Sequence, residues 1–334
     1  MIFVMNNIFL SIVIPVYNAA STISRCLDSI WCQGLDEAEY EVICVNDCST
    51  DNSVEVISET RKTHHNLRLF SNIENIRAGG SRNRGVREAY GEYILFIDAD
   101  DYFHPGALKV VCDYQKKYGL DILMCDFARH TISNENDNLV LNFKSQEIMT
   151  GRQFLIVNSL PWGPCKYVFK RSLMTDNNVF FTERVSCEDV DWCHKIAFFA
   201  ATMQYQPILL SHYILHDSSQ TSVENYNSNT VFHRLQAGKR VTELLNLYES
   251  EAERKQIQAV AKANLKNGLL FLNCLIISPR KKRDAIKDNV SCDIQWGRVM
   301  NFIRDYPLLY SWFSTIISPI FRLAVYTKRN LFGR

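Results

Sequence analysis

The stretch Tyr93-Ile94-Leu95-Phe96-Ile97-Asp98-Ala99-Asp100-Asp101 decides the fold. A short apolar run before an abrupt polar break reads as a buried strand of a parallel sheet. Such strands place ligands at their carboxyl ends, so the acids leave the strand at a predicted active-site edge. Carboxylates one residue apart can face one crevice, where they repel each other unless a cation intervenes. Hard oxygen donors favour Mg²⁺ or Mn²⁺, ions that keep positions open for substrate phosphates. The same residues also read as a solvated turn capping the next helix, because Asp suits an N-cap and Pro105 a helix start. The motif alone leaves both readings open.

Outward from this strand, apolar runs and amphipathic stretches alternate from Leu10 to about Arg129, the pattern of βαβ units and a mostly parallel sheet. Strands are predicted at Leu10 to Pro15, Glu41 to Val45, Leu67 to Phe70, Tyr93 to Ile97 and Asp121 to Phe127. Helices are predicted near Ser21 to Trp31, Ser53 to Lys62, Ser81 to Tyr90 and Gly106 to Tyr118. Four strand ends then carry polar loops: Val16-Tyr17-Asn18, Asn46 to Asp51, Asn72 to Gly85, and the acidic cluster. The Asn- and Ser-rich segment Thr131 to Asn142 reads as an excursion or linker. A compact group follows at Pro161-Trp162-Gly163-Pro164-Cys165-Lys166, and an acidic one at Glu188-Asp189-Val190-Asp191. Beyond about Asn229 leucines recur at helical spacing, giving a domain over 1–225 and a helical C-terminal region over 226–334.

The 334 residues are 47% hydrophobic and 22% charged, which fits a chain with a sizeable core. A net charge of +1 argues against a nucleic-acid partner held mainly by phosphate neutralisation. The eleven cysteines are odd in number, lack Cys-x-x-Cys spacing and lie largely in apolar runs, as expected in a reducing compartment. The apolar N-terminus has no positively charged leader and is not read as a signal peptide. The stretch 306–334 is aromatic, apolar and then basic. Its uncharged part, Pro307 to Phe321, is too short to span a bilayer, which takes ~20 apolar residues. It suits either peripheral contact with anionic lipid or packing on the core or a partner.

Taken together, Ser11 to Asn18, Val45 to Asp51, Ala78 to Gly85 and Asp98 to Asp101 resemble, in order, the motifs of the family 2 glycosyltransferases. These are inverting enzymes of the GT-A fold, with a Rossmann-like, mostly parallel sheet flanked by helices, that use nucleotide-diphosphate sugars. The resemblance covers about the first 130 residues well and continues more weakly through Trp162, Lys166 and Glu188-Asp189. It implies Asp100 as the main ligand of a divalent metal, Mn²⁺ or Mg²⁺, with Asp98 near ribose or metal and Asp101 as a supporting or alternative ligand. Pro15, Val16, Tyr17 and Asn18 would line the base pocket and Asp47 would contact the base. Asp51 serves either the nucleotide or the turn before the helix at Ser53. Arg82 would lie against the nucleotide or diphosphate, and the glycines at 79, 80 and 85 would allow tight turns and close backbone approach.

An inverting transfer needs a base opposite the leaving group. The resemblance gives that role to Asp189, with Glu188 or Asp191 as the competing choice. Trp162 and Lys166 would flank the sugar or acceptor, although a Trp in this turn also suits a core anchor. His216 falls where relatives carry a His or Arg near metal and diphosphate, and a lone His is also a common structural residue. The sequence departs from the family at Cys48, usually Gly, and at Ser81, often Ala.

The expectation is a glycosyltransferase at the inner face of the cell membrane. It would add a sugar, UDP-linked as is commonest in the family, to a saccharide or lipid-linked saccharide in surface polysaccharide assembly. A nucleotidyltransferase would carry a Gly-rich basic loop where Pro15 to Asn18 stand. A silent nucleotide-sugar-binding scaffold would have no need of the acids at 98, 100 and 189.

Overall fold

The computed structural model describes residues 8–131, 138–139, 143, 145–158, 160, 163–215, 228–274, 279–289 and 307. Trp162, His216 and all of the tail 306–334 except Pro307 lie outside the described residues. The chain divides into two compact units, Met1–His216 and Asp217–Arg334.

In the first unit the strands are β1 (Leu10–Val16), β2 (Tyr40–Asn46), β3 (Leu67–Ser71), β4 (Tyr93–Phe96), β5 (Tyr102–Phe103), β6 (Ile122–Thr131), β7 (Asn138–Leu139), β8 (Tyr167–Lys170) and β9 (Met203–Leu215). Among the described residues they form one sheet in the order β3-β2-β1-β4-β8-β6-β9-β5, with β7 on β6. The first four run parallel, β8 runs antiparallel to β4 and β6, and β6 and β9 are parallel. Chain order reverses at β1, between β2 and β4, so the carboxyl ends of β1 and β4 bracket the crevice where open α/β sheets bind ligands.

The helices of this unit are α1 (Ile23–Trp31), α2 (Ser53–Thr60), α3 (Arg77–Glu88), α4 (Ala107–Tyr118), α5 (Gly151–Val157), α6 (Arg171–Thr175) and α7 (Asp189–Phe199). Strand alternation sorts them onto two faces. Leu10, Ile12, Ile14, Tyr93, Leu95 and Ile97 share a buried cluster with Ile23, Leu27 and Ile30 of α1 and Leu108 and Val111 of α4. On the opposite face Phe96 packs against Phe169, Phe181 and Trp192, the last from α7.

All five strands expected in the first 130 residues are present. β6 runs on to Thr131 because β9 pairs beside it, His130 with Ile214 and Thr131 with Leu215. The segment read as a linker returns to the sheet at β7, where Asn138 pairs with Ala128. The predicted loop from Asn72 to Gly85 is corrected most: α3 begins at Arg77, so glycines 79, 80 and 85 lie in a helix and not in tight turns. Close approach is what they provide. A Cβ on Gly85 would lie 2.2 Å from Val13 Cγ1 and one on Gly79 2.7 Å from Glu188 Cγ. Gly85→Ala is therefore expected to destabilise the protein by about 1–3 kcal/mol, the usual cost of overpacking, measurable by denaturant titration.

β5, which directly follows the acidic cluster, is tied to β9 by a chain of histidines. His212 Nε2 lies 3.0 Å from His104 Nδ1, and His212 Nδ1 lies 2.7 Å from His130 Nε2. A neutral imidazole has one donor and one acceptor nitrogen and can serve both neighbours. Burial, with His130 and His104 alongside, pushes His212 down to about 4. In the unfolded chain it titrates near its ordinary value of about 6.5. Between these values the unfolded state binds a proton that the fold refuses. Stability from this residue is thus complete above pH 6.5 and declines as the pH falls towards 4. Unfolding midpoints measured across that window should drop less steeply for His212→Asn than for the natural chain.

The second unit contains α8 (Ser228–Glu243), α9 (Glu251–Cys274) and α10 (Pro279–Asn289). α8 and α9 cross closely, because a Cβ on Gly238 would meet Leu265 Cγ at 2.6 Å. The helical expectation for this region holds over these spans, and the basic run 279–283 opens α10. No helix among the described residues is long and apolar enough to cross a membrane.

Candidate active site

The polar loops after β1, β2, β3 and β4 meet at one rim of the sheet. At the end of β1 Val16 is buried, and just beyond it Tyr17 is 55% exposed, leaving its ring available for stacking. Asn18 is left-handed (φ 50°) and accepts the Thr50 amide through Oδ1 (2.8 Å), joining the first two loops. Asp47 is buried, and its Oδ1 accepts from Asn72 Nδ2 (2.8 Å) and the Ile76 amide (2.9 Å), which fixes the approach to α3. Asp51 accepts from Ser53 (2.5 Å to Oγ) and from the Ala20 amide (2.9 Å), the turn duty that was the plainer of its two expected roles. Cys48 takes φ 62°, a left-handed conformation that glycine adopts without steric cost.

At the end of β4 the carboxylates diverge. Asp98 Oδ1 accepts from Arg82 Nη2 at 2.6 Å. Asp100 offers its carbonyl to Arg25 Nη2 (2.7 Å), and that guanidinium also stands over the Tyr102 ring. Asp101 is buried and turns to β9, accepting the Ile214 amide at 2.9 Å. Burial first, then the nearby charges of Asp98 and Asp100, hold its carboxyl well above the usual carboxylate range. Among the described residues no three His, Cys, Asp or Glu side chains form a preformed metal cage. The rim nevertheless presents surplus negative charge on hard oxygens. That donor set fits a divalent cation completing its shell with phosphate and water.

Across the crevice, Glu188 and Asp189 stand at the start of α7. Glu188 Oε1 accepts from Arg82 Nη1 at 2.8 Å, so one guanidinium bridges Asp98 and Glu188. Burial raises the Asp189 carboxyl, against the opposing pull of Arg82, backbone donors including Gly163, and Lys166. Asp191 is buried in an ion pair with Lys195 (2.7 Å). Lys166, in the tight turn Pro164–Lys166, is 5% exposed, with Nζ 4.7 Å from the centre of the Phe127 ring; burial lowers its pKa, opposed by Cys193, Asp189 and Cys165.

The structure thus gathers Val16, Tyr17, Asn18, Asp47, Arg82, Asp98, Asp100, Glu188, Asp189 and Lys166 around one rim, with Pro15 just inside β1. Arg25 and Asn72 were not singled out from the sequence. Arg25 lies on an amphipathic helix whose contacts no local pattern reports, and Asn72 was one polar residue among many in its loop.

A mostly parallel sheet whose switch point carries acids facing a second acidic pair across a buried arginine is an α/β architecture with its ligand crevice at that rim. Residues 11–176 match the family described as Glycosyl transferase family 2. The chain belongs to that family and is a nucleotide-sugar-dependent glycosyltransferase. It is 29% identical to YibD of Escherichia coli (strain K12), named an uncharacterized glycosyltransferase, over 71% of this chain and 71% of that protein. It is 34% identical to a poly(ribitol-phosphate) beta-glucosyltransferase of Bacillus spizizenii over 54% of this chain, but spans only 28% of that relative's length. The crystal structure of S. aureus TarS 1–349 in complex with UDP-GlcNAc shares the GT-A fold, with a TM-score of 0.65, 19% identity, and coverage of 95% of this chain and 92% of that one.

Proposed function

We propose that the enzyme transfers a sugar, with inversion, from a UDP-sugar to a saccharide or lipid-linked saccharide acceptor in cell-surface polysaccharide synthesis. The observation that carries this reading is the bridge from Asp98 through Arg82 to Glu188, which sets donor-side acids and a candidate base on two sides of one crevice. Among the three acids opening α7, Glu188 is engaged by Arg82 and Asp191 by Lys195. Asp189, which a Gly163 backbone donor holds and which feels Arg82 and Lys166, is the one to which this reading gives the acceptor hydroxyl proton. Its raised carboxyl makes it a stronger base than an ordinary aspartate. Displacement at the anomeric carbon builds charge on the departing diphosphate. Asp100 and Asp98 would hold a divalent cation, and the chemistry it supplies is neutralisation of that charge. Tyr17, on the exposed end of the β1 loop, would stack on the base. The names of the poly(ribitol-phosphate) transferases among the relatives support a wall- or capsule-type polymer as the setting.

Calorimetric titration with a panel of nucleoside diphosphates, with and without Mn²⁺, followed by turnover of the corresponding sugars, tests the reading. Mn²⁺-dependent binding of UDP and consumption of a UDP-sugar are expected. Failure of every nucleotide to bind would overturn it. The reading includes peripheral contact with the inner membrane face through 306–334. Deleting those residues should release the protein from anionic vesicles in a flotation assay, and retention would remove that part of the reading.

A further inference from the structure

Arg82 lies in the second turn of α3 with its side chain 4% exposed. Nη2 reaches Asp98 at 2.6 Å, Nη1 reaches Glu188 at 2.8 Å, and Nε is buried without a hydrogen-bond partner. The guanidinium is lodged between the rings of Phe96 and Phe181, 5.9 and 5.6 Å from their centres. The next residue grips the same loop. Asn83 donates to the Phe181 carbonyl (2.9 Å) and accepts the Phe181 amide (2.8 Å), a two-bond ladder like that between paired strands. One turn earlier Gly79 leaves room for Glu188 Cγ, which a Cβ would meet at 2.7 Å. Arg77 donates to Ser186 Oγ at 2.9 Å. Four positions of one helix therefore hold residues 181–188, the segment that delivers Asp189 to the crevice.

We infer that Arg82 is a positioning residue, bracing the loop 181–188 and the start of α7 against the end of β4 so that Asp189 stands at a fixed place relative to Asp98, and that it does so without touching the donor. This rests on the reading of Asp189 as the base. The choice of Arg follows from geometry, since a planar fork holds two carboxylates at once and an ammonium on a single stem does not. Burial counts against the diphosphate contact that the family resemblance implies, because both terminal nitrogens already serve protein carboxylates.

Arg82→Lys in the full chain is the test, because it keeps the buried charge and loses the fork; a melting curve checks that the variant folds. Turnover should fall roughly 10- to 100-fold, the scale of a misplaced reacting group. The affinity for UDP in Mn²⁺ should stay within about threefold, as expected when only transition-state geometry is lost. Hydrogen exchange at the amides of 181–189 should quicken. Combined with Glu188→Gln, the lysine variant should cost less than about threefold more than Glu188→Gln alone, because the two act as a unit. A loss of UDP affinity equal to the loss of turnover would make Arg82 a donor ligand and overturn the inference. So would unchanged exchange at 181–189, or full additivity with Glu188→Gln. If the natural enzyme turned over no nucleotide sugar, the proposed function would fail by itself, and the brace would still be judged by the exchange of 181–189.

Discussion

Asp189→Asn is expected to lower turnover by roughly 10²- to 10⁴-fold, the range supplied by a positioned general base. UDP affinity should change little, because the substitution keeps size and hydrogen-bonding capacity and lies across the crevice from the nucleotide loops. The pH profile carries the second half of the result. A base works only when ionised, and burial raises the Asp189 carboxyl above its ordinary value of 3.8. The rate of the natural enzyme should therefore fall with acidity at a higher pH than an ordinary aspartate would give. In Asp189→Asn the residual rate should lose that limb. If Asp189→Asn kept most of its activity and Glu188→Gln did not, the base would be Glu188.

The second large effect concerns Asp100. Asp100→Ala should abolish Mn²⁺-dependent UDP binding and with it transfer, a loss of about two orders of magnitude or more, because a ligand is removed where leaving-group charge develops. Burial, and after it the like charges of Asp98 and Asp100, hold the Asp101 carboxyl up, so removing the Asp100 charge should let Asp101 ionise more readily. Full Mn²⁺-dependent binding by Asp100→Ala would exclude Asp100 as the main ligand.

Much of this arrangement was legible in the amino-acid order. Apolar runs flanked by polar breaks gave the parallel strands, and the register placed their polar ends on one rim, as the acids after Ile97 required. Asp51 was legible as a turn residue because Asx turns are local. What escaped was set by tertiary approach. Arg77-Ala78-Gly79-Gly80 reads as a loop by propensity. It is helical because small residues there let α3 press against Glu188, and Gly85 does the same against Val13, contacts that outweigh the cost of glycine in a helix. The partners of Arg82 were hidden for a similar reason. Glu188 is 106 positions away, and spacing along a chain carries no information about which buried charges will meet.

The left-handed residues have an implication for engineering the molecule. Among the described residues six non-glycine positions have positive φ, and five of them, Asn18, Cys48, Arg77, Arg184 and Cys187, flank the crevice. All but Asn18, whose residue type tolerates this region, are held against their own backbone preference, at about 1–3 kcal/mol each. Thermostability is therefore easiest to raise at this rim, by glycine at Cys48 or Arg184 for instance, and that is also where raising it most endangers activity, since relaxed loops no longer hold their side chains to one geometry. A hardier enzyme is better sought away from this rim, where the chemistry would not register the change.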